Sequence, residues 1–386
     1  MPRVNPEILT WAREAAGMSL DDAARAIGLS GADPSARLAA MEAGEREPTR
    51  RQIAKMAEKY RRPILTFYLP EPPARAPRAH DFRTMRDREP LAEARIEALV
   101  RDVRVRQALV QSALQDLEED QPVPFVGSMR VDQGAPEIAE AMRATLQFDL
   151  GEYRAARNTG DAFRLLRESV ENAGVYVLLI GNLGHHTSSI DPKIFRGFAL
   201  ADLVAPIIVI NENDSRAAWS FTLLHELAHV FLGQSGISGY DGDAPIEQVC
   251  DGAAARFLLA PAELREIDVR GVPVEALVEE IGTFASVRKV SRKMVAYNLR
   301  KERLITWDTY KRVSERFDAD RLDQAREAAG GPVDYYVVRR HRIGRGLTRL
   351  VDRMVASGAL TSTKAGRVLG VKPTAVGRMT ADNQAA

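Results

Sequence analysis

The chain is poor in cysteine, in aromatic residues and in net charge. Its 386 residues include one cysteine, Cys250, so no disulfide can form within the chain and a reducing compartment is expected. Aromatic residues make up only 6% of the sequence, and the formal net charge is +1. This balance excludes an overall electrostatic attraction to nucleic acid, so any DNA binding must come from a local surface.

Long hydrophobic runs are also missing. The longest candidate, "VYVLLIG" from Val175, is too short to span a bilayer and predicts a buried strand. The N-terminal residues have no long apolar run behind a basic start, so we predict no signal peptide. The expected location is cytoplasmic, without a membrane partner. The chain is still 45% hydrophobic, enough to bury the cores of two or three domains.

Helix-start signals, proline content and hydrophobic patterns divide the chain into four predicted regions. They are a bundle of short helices (1–69), a proline-rich linker with a long helix (70–125), a core of helices and a few strands (126–285) and a helical C-terminal region (286–386). Ser19, Asp33 and Thr49 are each expected to cap a helix in the first region. The predicted fold class is α+β, predominantly helical.

Two histidines and a glutamate lie inside the apolar stretch "FTLLHELAHVFLG", Phe221–Gly233. His225 and His229 are four residues apart, so on a helix they project to the same side and can bind one metal ion. Glu226 points about 100° away and can reach a water molecule beside that ion. This is the H-E-x-x-H pattern of zinc peptidases. The flanking residues carry no charge, which indicates a buried helix whose polar groups need a partner such as Zn²⁺.

A third protein ligand must come from outside this helix. The extended pattern with a third histidine fails, because Leu232 and Ser235 stand where its glycine and last histidine would be. Glu247 and Asp251 lie one turn apart on the next predicted helix, "APIEQVCDGAAARFLLAP". We predict Glu247 as the ligand and Asp251 as a group that orients one of the histidines. The alternative for both is a solvated acid near a helix start.

The segment "FRGFALADLVAPIIVINENDSRAAWSFTLLHELAHVFLG" followed by "IEQVCDGAAARFLLAP" resembles the ImmA/IrrE family of metallopeptidases. The N-terminal region resembles an Xre-type, lambda-repressor-like helix-turn-helix domain. The resemblance implies a zincin fold in which an edge strand, here "APIIVIN", aligns the substrate beside the zinc helix. It supports Glu247 as a gluzincin-like third ligand. The family's second helix commonly has asparagine where this chain has Asp251.

The N-terminal region would contact DNA through the helix Pro34–Ala43, placed in the major groove. Candidate contacts to bases and phosphates come from this helix and from the start of the next one. They are Ser35, Arg37, Arg50 and Arg51. The alternative is a helical module for homodimerisation or for docking a partner.

Three further groups are candidates for stabilising the oxyanion of a peptidase transition state, namely Tyr240, His185 and His186. For the two histidines, a place in a solvent-exposed loop is the favoured explanation. Near the C-terminus, "STKAGRVLGVKPTAVGRM" has the spacing of a second helix-turn-helix, for which a packing role is favoured.

Two functions remain open. The first is a zinc-dependent endopeptidase with an attached DNA-binding domain, which the resemblance implies would cleave a transcriptional repressor or an antitoxin in a stress or mobile-element response. The second is a DNA-binding regulator or antitoxin-type component whose metal domain docks a partner without proteolysis.

Overall fold

A computed structural model describes five stretches of the chain, which are residues 4–73, 90–183, 188–238, 244–327 and 334–381. The chain divides into two compact units. The first contains residues 1–108 together with 181–195, and the second contains residues 109–180 together with 196–386.

The first unit begins with short helices around a small apolar core. The helices are α1 (Pro6–Glu14), α2 (Leu20–Ile27), α3 (Pro34–Glu42) and α4 (Arg50–Lys59), followed by a 3₁₀ helix (Ile64–Tyr68). The predicted caps are confirmed, because the side chains of Ser19, Asp33 and Thr49 each accept a backbone N–H from the first turn of their helix. The core of this unit is centred on residues such as Leu38 and Phe67.

The long helix predicted after the linker is a single helix, α5 (Pro90–Asp116). The second unit then contains most of the secondary structure. Its first elements are α6 (Gly134–Leu146), α7 (Leu150–Ala155), α8 (Thr159–Asn172), β1 (Tyr176–Leu179), β2 (Gly197–Leu200), β3 (Ile207–Ile210), α9 (Arg216–Phe231), β4 (Gly236–Ser238) and α10 (Pro245–Leu258). The later helices are α11 (Val274–Arg288), α12 (Arg292–Lys301), α13 (Trp307–Glu327), α14 (Tyr335–Ile343), α15 (Arg345–Ala356), α16 (Ser362–Leu369) and α17 (Val376–Thr380).

The four strands form one mixed sheet in the order β1-β3-β2-β4. β3 pairs in parallel with β1 and antiparallel with β2, so both of its edges are occupied. The expectation that "APIIVIN" is an edge strand is therefore wrong, because its backbone groups already bond to two neighbours. β4 pairs with β2 alone and is one of the two outer strands of the sheet.

The core of the second unit covers both faces of α9. Every residue from Thr222 to Phe231 is buried, as the charge-free sequence predicts. The same apolar cluster extends from Phe125 to Phe317, so helices α11 to α13 pack into the core that surrounds α9. The predominantly helical α+β class is confirmed. None of the helices in the described stretches is both long enough and apolar enough to span a membrane.

Candidate metal centre

The buried helix α9 carries the three polar residues of the HELAH sequence. His225 and His229 are almost fully buried, and Glu226 is completely buried. A helix with Leu, Val and Phe on nearly all sides packs inside the core, so these three side chains lie away from bulk water. Their polar atoms need partners inside the protein.

The second helix of the site, α10, brings Glu247 to the histidines. Pro245 begins this helix, and a run of small buried residues follows in its middle, Gly252 to Ala255. Small side chains let α10 approach its neighbours closely. A Cβ on Gly252 would lie only 2.7 Å from Cβ of Ala135 on α6. This close packing fixes the position of the first turn of α10, where Glu247 lies.

Three donor atoms converge between α9 and α10. The two Nε2 atoms of His225 and His229 are 3.2 Å apart. The Glu247 carboxylate oxygens lie 3.3 Å from His225 Nε2 and 3.2 Å from His229 Nε2. Tetrahedral ligands at zinc–ligand distances of about 2.0–2.2 Å are separated by roughly 3.3–3.6 Å. The residues therefore fit a zinc-sized ion with three protein ligands, and these three form a possible metal site in the described part of the chain.

Asp251, one turn beyond Glu247, contacts the outer side of the same histidine. Its Oδ1 is 2.8 Å from His225 Nδ1, and that contact leaves His225 Nε2 facing Glu247 and His229. A carboxylate on the far nitrogen fixes the tautomer and orientation of a metal-binding histidine. His229 Nδ1 is buried and has no hydrogen-bond partner among the residues that the structure describes.

Without a metal ion, His225 is protonated and positively charged, and it lies beside the negatively charged carboxylate of Glu247. Burial by itself lowers the pKa of His225, but hydrogen bonds to Asp251 and Glu247 outweigh it and raise this pKa to about 10. Burial raises the pKa of Glu247, but hydrogen bonds to His225 and His229 outweigh it and lower this pKa to about 2. At neutral pH His225 and Glu247 form an ion pair, and a metal ion must displace the His225 proton before it can bind.

Metal affinity should therefore increase with pH. A metal ion displaces the His225 proton, so the apparent association constant should rise by about tenfold per pH unit between pH 6 and pH 8. Competition with a calibrated chelator dye at several pH values measures this slope. An affinity that does not change with pH would contradict the protonated state of His225.

The stability of the protein without metal should change with pH in the opposite direction. The raised His225 pKa stabilises it fully below pH 6.5, and this contribution is lost as the pH rises through about 10.

Glu226 lies against the first residue of β2. A Cβ on Gly197 would be 2.7 Å from Glu226 Oε1 and 2.8 Å from Thr222 Cγ2. A glycine is therefore required where the strand crosses the glutamate, because any side chain would push the carboxylate away. Nothing in the sequence indicates this role except the glycine itself in "FRGFAL", so sequence reasoning missed Gly197.

Replacing Gly197 by alanine should displace Glu226 and reduce cleavage, and should destabilise the fold by about 1–3 kcal/mol through overpacking. Metal content should stay the same, because none of the three donor atoms touches Gly197. The matched control is Gly282→Ala on α11, where the nearest atom to a new Cβ is 3.9 Å away. Native cleavage rates in the Gly197 variant would show that this contact does not position Glu226.

Three of the remaining sequence-based candidates cannot be placed relative to the metal centre. Tyr240, His185 and His186 lie outside the described residues, so their proposed role in stabilising an oxyanion stays a prediction. Cys250 is buried, and burial together with the nearby Glu247 carboxylate raises the pKa of its thiol. A neutral, buried thiol agrees with packing and not with nucleophilic chemistry.

The site combines two histidines one turn apart on the buried helix α9, Glu247 facing them from α10, and the buried Glu226 beside them. This is the arrangement of a metal-dependent peptidase. In agreement with this class, the family model described as the IrrE N-terminal-like domain of a peptidase family matches residues 181–300. The match covers β2, β3, α9 and α10 and supports the ImmA/IrrE resemblance. No curated protein and no solved structure matches the chain.

Proposed function

We propose that the chain is a zinc-dependent endopeptidase coupled to a DNA-binding domain, and that it cleaves a regulatory protein such as a transcriptional repressor or an antitoxin. The observation that supports it most directly is the convergence of His225, His229 and Glu247 to within 3.3 Å of one another. The peptidase-family match over the same residues supports a protein substrate.

Each residue of the site has a distinct proposed role. His225, His229 and Glu247 hold the ion, and Asp251 holds His225 in the tautomer that ligation requires. Zinc, when bound, acts as a Lewis acid and lowers the pKa of water. Glu226 takes the proton from the attacking water and returns it to the leaving amine.

The outer edge of β4, which pairs with no further strand in the described stretches, is the proposed binding surface for an extended peptide. β4 pairs with β2 through Gly197↔Ser238, and Gly197 is the residue that lies against Glu226. A peptide that adds to β4 as a further strand would gain backbone hydrogen bonds without side-chain specificity. β3 cannot take this role, because β1 and β2 occupy both of its edges.

Peptide cleavage with and without metal tests the proposal. The purified full chain, loaded with one equivalent of Zn²⁺, is incubated with a proteome-derived peptide library, and new termini are identified by mass spectrometry. We expect internal cleavage that a chelator abolishes and Zn²⁺ restores. A chain that binds zinc stoichiometrically but cuts no peptide in this library would favour the partner-docking function instead.

The proposed DNA-binding surface of the first unit includes α3 and the start of α4. On α3, Arg37 donates to the backbone carbonyl of Ser30, and Ser35 donates to Asp21. Arg50 and Arg51 are exposed in the first turn of α4, where positive helix ends favour phosphate. Their exposure at this helix end makes Arg50 and Arg51 candidates for contacts to the DNA backbone.

The double variant Arg50→Ala with Arg51→Ala should weaken binding to duplex DNA and reduce the salt slope of log K by about 2. Fluorescence anisotropy at 50 to 200 mM salt measures both quantities. The control is Lys311→Ala with Arg312→Ala, a pair of neighbouring exposed cations on α13. If the two double variants behave alike, α4 does not contact the phosphates.

A further inference from the structure

The last 48 described residues carry a concentration of positive charge that the whole chain does not show. Residues 334–381 contain ten arginine and lysine residues and two aspartates, a surplus of eight positive charges, whereas the complete chain has a formal charge of +1. Such a local surplus is the electrostatic feature of a surface that binds a polyanion.

One side of this segment is anchored to the rest of the second unit. The buried ion pair of Arg167 and Glu171 on α8 meets the junction between α14 and α15. There Arg167 donates to the carbonyl of His341, and Glu171 accepts the N–H of Gly346 at 2.9 Å. Other cations on this side pair with acids of the same unit. These pairs are Arg342–Glu212, Arg345–Glu168 and Arg353–Glu119.

The opposite side, formed by α16, the following turn and α17, carries cations without such partners. The side chains of Lys364, Arg367 and Lys372 are exposed and make no hydrogen bond or ion pair with side chains in the described part of the chain. Arg378 is exposed as well, and its guanidinium stacks 4.2 Å above the ring of Tyr336. Four exposed cations outside the ion pairs named above therefore lie within α16, the turn and α17.

The backbone of this face repeats the arrangement of α2 in the first unit. Thr361 caps α16 by accepting the N–H of Lys364, as Ser19 caps α2. Both helices have eight residues, and both end at a glycine in the left-handed region, with φ of 63° at Gly370 and 73° at Gly28. Three residues are identical at corresponding positions, namely Ala23 with Ala365, Arg25 with Arg367 and Gly28 with Gly370.

The turn after α16 is short and rigid. A Cβ on Gly366 would lie 2.8 Å from the carbonyl oxygen of Val371, so the glycine lets the turn fold directly onto the helix. Arg339 donates to the carbonyls of Leu369 and Gly370 at 3.0 and 2.8 Å and fixes the end of the helix. After this turn a 3₁₀ segment, Pro373–Ala375, continues directly into α17. Two short helices joined by a tight glycine-containing turn form a helix-turn-helix.

We propose that α16, the turn and α17 form a second nucleic-acid-binding surface, which binds double-stranded DNA with α17 facing the major groove. Charge complementarity and the helix-turn-helix geometry favour a duplex over an acidic protein. The exposed side of the 3₁₀ segment and α17 carries small residues, Thr374 and Gly377, which allow close approach of the backbone. The packing role favoured from the sequence accounts for Val368 and Met379, which are fully buried, but not for the exposed cations.

Charge reversal on this face tests the proposal in the full chain. Arg367→Glu with Lys372→Glu should weaken binding to a 30-base-pair duplex at least tenfold and reduce the salt slope by about 2 or more. The matched control, Lys311→Glu with Arg312→Glu, makes the same charge change on α13 and should bind normally. The same loss should occur in a chain that already carries Arg50→Ala and Arg51→Ala, which separates this surface from α4.

A second pair of variants guards against misfolding. A Cβ at Gly377 meets no atom within 4 Å, so Gly377→Glu should fold normally and place a negative charge on the face, whereas Gly377→Ala adds only a methyl group. We expect the first to lose DNA binding and the second to keep it. The proposal would be overturned if the Arg367→Glu, Lys372→Glu variant and the Gly377→Glu variant both kept the native DNA affinity and salt slope. It would also be overturned if polyglutamate of equal charge bound as tightly as the duplex.

Discussion

Glu226→Gln should abolish peptide cleavage while leaving the metal in place. Glutamine has the same size, so it fits the completely buried space beside Gly197, but it cannot accept a proton from water. Loss of a general acid–base group costs about 10²- to 10⁴-fold in rate. Metal content should remain near one equivalent, because Glu226 is not one of the three converging donors.

The measurements are the cleavage rate of a peptide found in the library screen and the metal content of the same preparation. Glu275→Gln on α11 is the control, because it makes the same chemical change at an exposed position. A variant that loses both activity and metal would show that Glu226 is a ligand or a structural group. If the variant cuts no peptide but still relieves repression of its target, the partner-docking function would account for the biology.

Glu247→Ala should remove the metal from the site. Among the described residues, the substitution deletes the one anionic member of the three donors and leaves two imidazoles, which cannot complete a three-ligand site. Partners that merely orient a ligand are worth 10- to 100-fold in metal affinity, so we expect a loss of more than about 100-fold here. Activity should fall with it. Asp251→Ala, which removes only the group that orients His225, should fall within the 10- to 100-fold range.

Glu275→Ala is a closely matched control for this variant. Glu247 and Glu275 both lie in the first turn of a helix, so both substitutions remove the same favourable interaction with the helix dipole. Only Glu247→Ala should change metal affinity, measured by competition with a chelator dye. An unchanged affinity in Glu247→Ala would mean that the ion is bound by other residues, and the proposed ligand set would be wrong.

Much of the site could be predicted because it depends on local sequence. The interval of four residues between His225 and His229 places both imidazoles on one side of any α-helix, and uncharged neighbours require that helix to be buried. Glu247 was a reasonable choice because it lies in the first turn of the next helix, which returns to pack against the first. The same locality explains why the caps at Ser19, Asp33 and Thr49 were correct, since a cap needs only its own first turn.

Other features were not accessible in this way. "APIIVIN" has the alternation-free apolar pattern of a buried strand, and that pattern cannot show which strands become its neighbours. Gly197 could not be linked to Glu226, because 29 positions separate them and glycine gives no chemical signal. The cations of residues 334–381 were visible, but which of them pair with acids and which remain exposed depends on packing against α8.

The sequence by itself determined the helices and their caps and the placing of His225 and His229 on one side of a helix, because each depends on residues within one or two turns. The tertiary structure alone decided the strand order, the contact of β2 with Glu226, the 3.2 to 3.3 Å spacing of the three donors and the side of the C-terminal helices that stays exposed. These features join segments that are far apart in sequence. Their positions are fixed by packing of the shared core, and no local pattern encodes that packing.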